Sequence, residues 1–317
     1  MKPVLYLSVL FIFSLSLISC KKKAKSEEWN DTLHAGLIRI SCDEHFRELM
    51  DNELMVFEAH YPDAAIIPIY TSEQEAIRLL TEDSVRFALV TRDLNPSEQK
   101  KLTDRAMEAR KNLIAFDGVA LIIHPANKDS LISLPVLRKI LRGEITEWSQ
   151  VNRTSSLGTI RVIFDNRESS VLRYAVDSIV RGDTFSPNLY ALNDYLEVIE
   201  KVRQMPNAIG LIGINALQKE APVNPNLPDI RLMRLSKEDP ATVKNSYLPY
   251  AGDIMQENYP LWRPVYILLS DPRSGLSSGL SIFLAHEVGQ KIILQSGLLP
   301  ITDPQNLSVN ISDEFPK

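Results

Sequence analysis

The sequence predicts an α/β fold, and three observations support this. Short apolar runs alternate with helical patterns along residues 37–295. Hydrophobic residues make up 44% of the chain and charged residues 24%, as in soluble globular proteins. The length of 317 residues fits one large domain or two medium ones. Such alternation is typical of a mainly parallel or mixed sheet flanked by helices.

Each element is predicted from its local pattern, in chain order. The strands are predicted at 37–41, 65–70, 87–90, in two pieces within 113–124, and at 161–164, 208–214 and 265–269. The helices are predicted at about 45–60, 73–81, 97–109, 134–142, 169–180, 194–205 and 278–295. Gly143 is a suitable C-cap, Trp148 and Trp262 are expected in the core, and the proline-rich stretch 221–228 is expected to be a surface loop.

The N-terminus has the features of an export signal. A lysine at position 2 precedes an apolar run of about 15 residues, which is shorter than the roughly 20 residues of a membrane span. The run ends in Leu17-Ile18-Ser19-Cys20, which resembles the lipobox of bacterial lipoproteins. This resemblance implies a signal peptide at 1–19, lipidation of Cys20 and a charged tether at 20–35, so the protein would be extracytoplasmic and held at a bacterial membrane on its periplasmic face. An ordinary signal peptide or signal anchor with a chance cysteine is the alternative.

Charge and cysteine content exclude several classes of protein. The net charge of −5 and a pI near 5.7 argue against a broad basic surface for nucleic acid. The only cysteines are Cys20 and Cys42, too few for a disulfide framework or a four-cysteine zinc site. Cys42 is expected to be buried next to the first strand.

Three predicted strand-to-helix junctions have residues suited to anion binding. They are 41–46, 70–75 and 165–170, and each combines hydroxyl or charged side chains with the start of a helix. The first N–H groups of a helix have no partner within it and attract anions. Ordinary helix capping explains any one junction by itself, so both interpretations stay open at this point.

Five segments together resemble the phosphate-binding lipoproteins of bacterial ABC phosphate importers. They are LIRISCDEHFREL at 37–49, FDGVA at 116–120 with HPAN at 124–127, LPVLRKILRGEITEW at 134–148, YPLWRPVYI at 259–267, and GQKIILQSGLLP at 289–300. The resemblance implies a two-lobed, type II periplasmic-binding-protein fold. One lobe would comprise 36–116 and 248–317, and the other 117–247. It also implies an oxyanion in the cleft between the lobes, delivery to an ABC permease, and no cofactor or metal.

The same resemblance assigns the ligand residues, although the loops differ from the family pattern. Where the family has Gly-Ser-x-Thr-aromatic, this chain has 42–46, and Val171 and Leu172 replace a Gly-Thr pair in the second lobe. The phosphate specificity is therefore less firmly implied than the class of receptor. The predicted ligand residues are Asp43, His45, Phe46, Thr71, Ser72, Thr91, Arg92, Arg167, Ser169 and Ser170.

These residue types suit an oxyanion chemically. A buried dianion needs many donors, because its desolvation is costly. Arg92 and Arg167 could neutralise two charges, and Asp43 or Glu44 could accept the proton of hydrogen phosphate, which sulfate lacks. The structural alternatives are that Asp43 caps a helix, that His45 is a packed histidine, and that the two arginines belong to ion pairs.

Two other classes of function are alternatives. The same fold could serve as an anion sensor or a surface interaction lipoprotein with no transport role, and the altered ligand loops favour this. An enzyme is the third class. Gly275-Leu276-Ser277-Ser278-Gly279 matches the G-x-S-x-G pattern, but no acidic residue lies between Ser277 and His286, the last histidine. The sequence therefore predicts a binding protein and not an enzyme.

Overall fold

The computed structural model describes residues 31–181, 189–217 and 229–302. The predicted signal peptide, Cys20, residues 20–30 of the predicted tether and the proline-rich stretch 221–228 lie outside these residues. The strands are β1 (Gly36–Asp43), β2 (Ala64–Thr71), β3 (Phe87–Val90), β4 (Arg110–Ile123), β5 (Leu131–Ser133), β6 (Arg161–Phe164), β7 (Leu189–Ala191), β8 (Ala208–Gly213), β9 (Arg231–Leu232), β10 (Arg234–Ser236), β11 (Ser246–Tyr247), β12 (Trp262–Leu269) and β13 (Leu299–Pro300).

The α-helices alternate with these strands as predicted. They are α1 (Arg47–His60), α2 (Glu73–Thr81), α3 (Pro96–Thr103), α4 (Leu134–Arg142), α5 (Trp148–Val151), α6 (Ser170–Tyr174), α7 (Tyr195–Gln204), α8 (Ala251–Met255), α9 (Leu276–Ala285) and α10 (Glu287–Gln295). A 3-10 turn at Glu44–Phe46 leads into α1, and a π-helical stretch at Ala175–Val180 continues α6. Among the described residues, no helix has the length and apolar character that crossing a bilayer requires.

One mixed sheet runs through the molecule in the order β2-β1-β3-β12-β4-β8-β6-β7. β1 pairs in parallel with β2 and β3, whereas β12 is antiparallel to β3 and β4. β4 is shared: Arg110 to Gly118 lie along β12, and Val119 to Ile123 lie along β8. We call the part up to Gly118 of β4 the first half of the sheet and the part from Val119 onwards the second half.

Helices cover both faces of each half, which explains the nearly continuous apolar runs in the central strands. In the first half, α1, α9 and α10 pack on one face and α2 packs on the other. In the second half, α4 and α7 bury their apolar sides on opposite faces. Cys42 lies within β1 as a free, fully buried thiol, which confirms its predicted burial. Each large apolar side chain buried in this way contributes about 1.5–3 kcal/mol.

The α/β class and most elements are confirmed, including the left-handed C-cap at Gly143, with a φ of 78°. Several boundaries were predicted wrongly. The helix predicted at 97–109 ends at Thr103, because Ala106 adopts a left-handed backbone with a φ of 56°. The helix predicted at 278–295 is broken at His286, and the two strand pieces within 113–124 are one strand.

One of the two tryptophans predicted to lie in the core is partly exposed. Trp148 is fully buried as predicted, but Trp262 is 38% exposed. It begins β12, where its ring packs edge-on against Phe116. An apolar run predicts burial of a strand as a whole and does not show which end lies at the surface.

Candidate functional site

Polar side chains from both halves meet at one edge of the sheet. Because β1, β2 and β3 are parallel, their carboxyl ends lie together. Asp43 ends β1, Thr71 ends β2, and Thr91 follows β3. Segment 165–170, which follows β6 in the second half, contacts this edge through Asp165. We call this region the junction.

His45 lies at the junction between two carboxylates, one from each half. Its Nδ1 is 3.3 Å from Asp43 Oδ1, and its Nε2 is 3.3 Å from Asp165 Oδ2. All three side chains are at most 3% exposed. Asp43 also accepts a hydrogen bond from the His45 backbone N–H and so caps the 3-10 turn. The capping role and the burial of His45, both weighed from the sequence, therefore occur together here.

His45 and the neighbouring carboxylates shift each other's pKa values. Burial alone would lower the pKa of His45, but Asp165 and the hydrogen-bonded Asp43 outweigh it and raise that pKa. Burial alone would raise the pKa of Asp43, but the hydrogen bond and charge of His45 and the charge of Arg263 lower it. Both shifts favour the charged forms of His45 and Asp43, and the contact of His45 with Asp165 joins the two halves.

A second buried ion pair lies next to the triad. The register of β12 and β4 sets Arg263 opposite Asp117, with Arg263 Nε donating to Asp117 Oδ2 at 2.8 Å. Arg263 Nη1 donates to Ser170 Oγ at 2.7 Å, and the guanidinium carbon is 5.7 Å from the centre of the Phe46 ring. A Cβ at Gly213 would lie 2.8 Å from Asp117 Oδ2, so a larger residue there would collide with the carboxylate.

We call Asp43, His45, Asp117, Asp165 and Arg263 the ion cluster. Each has a buried side-chain atom without a hydrogen-bond partner among the residues that the structure describes. Buried polar atoms are normally hydrogen-bonded, because leaving them unpaired costs about 1–3 kcal/mol each. The cluster therefore offers both donors and acceptors to a small polar molecule that enters the junction.

A pocket of about 290 Å³ opens beside the ion cluster. Glu73 contributes to its wall from the start of α2, and Arg173 contributes from α6 in the second half. Glu73 Oε1 accepts hydrogen bonds from the amide and the hydroxyl of Thr91, both at 2.6 Å, and Oε2 accepts one from Arg173 Nε, also at 2.6 Å. Donors from both halves therefore converge on one carboxylate.

Most of the residues predicted as ligands do lie at the junction. Arg92, Arg167 and Ser169 line the pocket, and Ser72 Oγ donates to Glu168 Oε2 at 3.1 Å, where Glu168 belongs to the pocket wall. Thr91 contacts the wall through Glu73 and Arg173, as above. Asp43 and His45 are in the ion cluster, and Ser170 is hydrogen-bonded to it.

Phe46 and Thr71 are the predicted ligand residues that lie outside both the pocket wall and the ion cluster. Phe46 is fully buried in the core below Arg263, so its ring supports the cluster from beneath. Thr71 pairs in register with Asp43 and is half-buried, and no hydrogen bond of its side chain with a described residue of the pocket or the cluster is found.

The two arginines expected to bind ligand differ in their pairing. Arg92 makes a two-pronged contact with Glu98, at 2.7 and 2.8 Å, so the structural alternative applies to it. Arg167 is exposed and has no ion pair among the described residues. Ser72 and Ser169 cap α2 and α6 through their side chains, so capping and pocket formation involve the same residues.

The sequence interpretation missed five residues of the site. Glu73 and Asp165 lie in the strand-to-helix segments 70–75 and 165–170 but were not predicted to be ligand residues. Asp117 and Arg263 interrupt apolar strands, which is a signal of a buried ion pair. No local pattern distinguishes Arg173.

Two other kinds of site were compared with the structure. Among the described residues, no group of three or more histidine, cysteine or acidic side chains has a geometry that could hold a metal ion. Ser277 of the G-x-S-x-G pattern is 3% exposed in the first turn of α9, and the strand β12 ends well before it. A sharp turn from strand to exposed serine, which that pattern requires, is not formed.

A sheet that passes through a shared strand from one α/β half to another, with a polar site at the junction, has the architecture of type II periplasmic binding proteins. A sequence model described as "PBP superfamily domain" matches residues 26–286, and the chain belongs to this superfamily.

Named relatives give the same result. The phosphate-binding protein PstS of Borreliella burgdorferi is 26% identical over 227 residues, which cover 68% of this chain and 72% of that protein. A solved structure from Clostridium perfringens, described as a candidate phosphate ABC transporter substrate-binding protein with bound phosphate, superposes with a TM-score of 0.70 at 18% identity. It covers 84% of this chain and 100% of that one. An ABC-type phosphate transport receptor from Vibrio cholerae gives a TM-score of 0.62 at 22% identity and covers 83% and 99%. The family resemblance and the fold predicted from the sequence are confirmed.

Proposed function

We propose that this protein captures phosphate, or a similar oxyanion, at the junction and delivers it to an ABC permease. The main supporting observation is the convergence of the Thr91 amide, the Thr91 hydroxyl and the Arg173 guanidinium on one anionic group, the Glu73 carboxylate. A phosphate oxygen is an acceptor of the same kind. The names of the relatives in Borreliella burgdorferi and Vibrio cholerae agree with this choice of anion.

The two halves would act as lobes that close on the ligand. We assign 36–116 and 248–317 to one lobe and 117–247 to the other, with β4 and the segment near residue 248 connecting them. The passage of β4 from β12 to β8 between Gly118 and Val119 supports this division. Closure around a bound solute is a common motion of such proteins.

The proposed ligand contacts are a subset of those predicted from the sequence. Arg167, which has no ion pair with a described residue, supplies a positive charge, and Ser72, Thr91, Ser169 and Ser170 supply hydroxyls. Asp43, whose Oδ2 has no partner among the described residues, would accept the proton of hydrogen phosphate. That proton is absent from sulfate, so the acceptor would discriminate between the two ions.

Titration calorimetry of the full chain in detergent tests this function. We expect saturable binding of phosphate and weaker binding of sulfate. Arg167→Ala should weaken phosphate binding by about 2 kcal/mol, or roughly thirtyfold, because a charged hydrogen-bond partner is lost. Arg153→Ala, which removes an exposed arginine away from the junction, is the matched control. Equal affinities in both variants would remove Arg167 from the site, and no binding of phosphate, arsenate or sulfate would contradict the function.

We further propose that lipid on Cys20 holds the protein at the membrane. One acyl chain gives only reversible attachment, whereas the several chains of a bacterial lipoprotein give a stable anchor. Cys20→Ser should move the protein from the membrane fraction to the soluble fraction, and Cys42→Ala, which leaves the lipobox intact, should not. Retention of Cys20→Ser at the membrane would contradict lipid anchoring.

A sensor or surface interaction lipoprotein with no transport role is the second candidate. The engagement of Glu73 with the anion donors favours it, because a permanently engaged carboxylate would exclude a transported ligand. Cells that lack this protein should take up phosphate more slowly if it serves import and at an unchanged rate if it does not. Neither candidate includes catalysis, and a phosphatase assay on the purified chain would reveal an enzyme.

A further inference from the structure

Glu73 is held in an unusual way for a glutamate in the first turn of a helix. Such residues are commonly exposed and interact only with the helix dipole. Here the side chain is 2% exposed, and three hydrogen bonds of 2.6 Å hold its two oxygens. The next residue along α2, Gln74, is exposed and also borders the pocket.

The donors around Glu73 come from two separate parts of the chain. Thr91 supplies an amide and a hydroxyl from the end of β3, and Arg173 supplies its guanidinium from α6. Arg173 Nη2 also donates to Thr91 Oγ1 at 2.8 Å, and Arg92 Nε lies 3.8 Å from Glu73 Oε2. A backbone N–H, a hydroxyl and two guanidinium groups around one carboxylate form the kind of donor set that recognises oxyanions.

We propose that Glu73 is an internal anion that occupies the oxyanion site and competes with an external oxyanion for the same donors. This inference rests on the function proposed above. The external ligand would bind as the Glu73 carboxylate leaves Thr91 and Arg173. The adjoining pocket, about 290 Å³ and lined by Arg92 and Arg167, gives room for this exchange.

Competition of this kind has consequences for affinity and selectivity. The apparent dissociation constant equals the intrinsic one divided by the fraction of molecules in which Glu73 has left the site. A carboxylate attached to the chain is present at a high effective concentration, so weak external anions cannot displace it. A dianion with four oxygens offers more charge and more acceptors than one carboxylate. The site would therefore admit divalent tetrahedral oxyanions and exclude monovalent carboxylates.

The competing explanation is that Glu73 serves only to hold the two halves together. Under that explanation, neutralising Glu73 lowers stability and leaves oxyanion binding unchanged or weaker. Under the proposal, neutralising Glu73 makes oxyanion binding stronger. The two explanations predict opposite signs for the same measurement.

The test compares Glu73→Gln, Glu73→Ala and the matched control Glu75→Ala in the full chain in detergent. Glu75 belongs to the same helix and pairs with Arg78 at the surface. Calorimetry with inorganic phosphate should show affinities about tenfold or more above wild type for both Glu73 variants, as expected if at most about a tenth of wild-type molecules are free of the internal anion. Glu75→Ala should bind like wild type. Glu73→Gln keeps the size of the side chain, so it covers the case in which Glu73→Ala does not fold.

Thermal unfolding in acetate gives an outcome that does not depend on phosphate. Acetate can replace the missing carboxylate in Glu73→Ala, so its melting temperature should rise saturably with acetate and not with chloride at equal ionic strength. Wild type and Glu75→Ala should show no such rise. If wild type binds phosphate as tightly as the Glu73 variants, the inference is wrong although the proposed function stands. If no variant binds phosphate, the proposed function is wrong, and the acetate response alone decides the inference, which an absent response would overturn.

Discussion

At the scale of single residues, His45 has the most informative surroundings. Its two ring nitrogens face Asp43 of the first half and Asp165 of the second half, each at 3.3 Å. A protonated ring carries the positive charge that attracts both carboxylates. Burial of the ring and the charge of Arg263 oppose protonation, but the two carboxylates outweigh them. Attachment of the two halves at this point therefore depends on the charge of one imidazole.

This arrangement predicts a defined pH dependence. The pKa of His45 in the folded protein lies above the ordinary value of 6.5, so its charge stabilises the fold fully below that value. The contribution is lost as the pH rises through the folded-state pKa. We expect the free energy of unfolding, from urea titrations, to fall as the pH rises above 6.5. The fall should be smaller in His45→Gln.

Wild type must be compared with His45→Gln because a second residue, Glu53, also changes the free energy of unfolding in this pH range. Burial raises the pKa of Glu53 to about 9, so its ionisation in the unfolded chain also lowers stability as the pH rises. That effect is common to wild type and His45→Gln, and the difference between their curves isolates His45. Parallel curves for the two proteins would show that His45 is not charged in the folded state.

At the scale of elements, local patterns were sufficient where local interactions decide the structure. The predicted bounds of α2 and β3 are those observed, because Ser72 caps the helix and a four-residue apolar run forms the strand. The break between α9 and α10 has a long-range cause. Gln290 is fully buried and donates to the carbonyls of Leu284 and Ile114, and its own oxygen accepts from Ile301. A helical pattern contains no information about such contacts.

The site shows the same difference between local features, which the sequence predicts, and long-range contacts, which it does not. Ser72 and Ser169 belong to predicted strand-to-helix segments and lie at the junction, since strand ends and helix caps are local features. The partners that determine its chemistry are distant in sequence: Arg173 lies 100 residues from Glu73, and Arg263 lies 146 residues from Asp117. One sequence without the fold cannot pair such residues, which explains why Glu73 was not recognised as the acceptor of the convergent donors.

The start of α9 gives a prediction about the described end of the tether. Asp31 Oδ1 accepts a hydrogen bond from the Leu276 amide at 2.7 Å, so the last part of the predicted tether caps a helix of the first half. Asp31→Ala should lower the free energy of unfolding by about 1 kcal/mol, and Asp31→Asn should lower it less, because an amide oxygen also caps. Denaturant unfolding of both variants measures this. Equal losses in the two variants would show that the cap is not the source of the stability.

At the scale of the whole molecule, side chains join the two halves at several places in addition to the shared strand β4, one of which is the hydrogen bond from Arg263 to Ser170. Three others are the contacts of His45 with Asp165, of Ser72 with Glu168, and of Glu73 with Arg173. The first is fully buried, and the second is at the surface. The third joins a buried carboxylate to a half-buried guanidinium. Both groups also line the pocket that we propose for the ligand, so this contact belongs to the junction and to the pocket.

Arg173→Ala should therefore loosen the junction without unfolding either half. Backbone amides exchange with solvent when their hydrogen bonds open, and local opening costs less than global unfolding. We expect faster deuterium uptake, measured by mass spectrometry, at Thr91, whose amide bonds to Glu73, and in segments 43–46 and 165–172. Uptake in α10, none of whose residues lines the pocket or belongs to the ion cluster, should not change. Arg78→Ala, which removes a surface arginine paired with Glu75 and Glu82, is the control.

The same experiment tests how the halves and the ligand are connected. If oxyanion binding closes the junction, saturating phosphate should slow deuterium uptake in wild type at Thr91 and in 165–172, because the ligand adds bonds that bridge both halves. In Arg173→Ala this protection should be weaker, since one of the bridging donors is absent. Unchanged uptake in ligand-free Arg173→Ala would show that the Glu73–Arg173 contact does not hold the halves together. Phosphate protection confined to one half would show that the ligand does not bridge the junction.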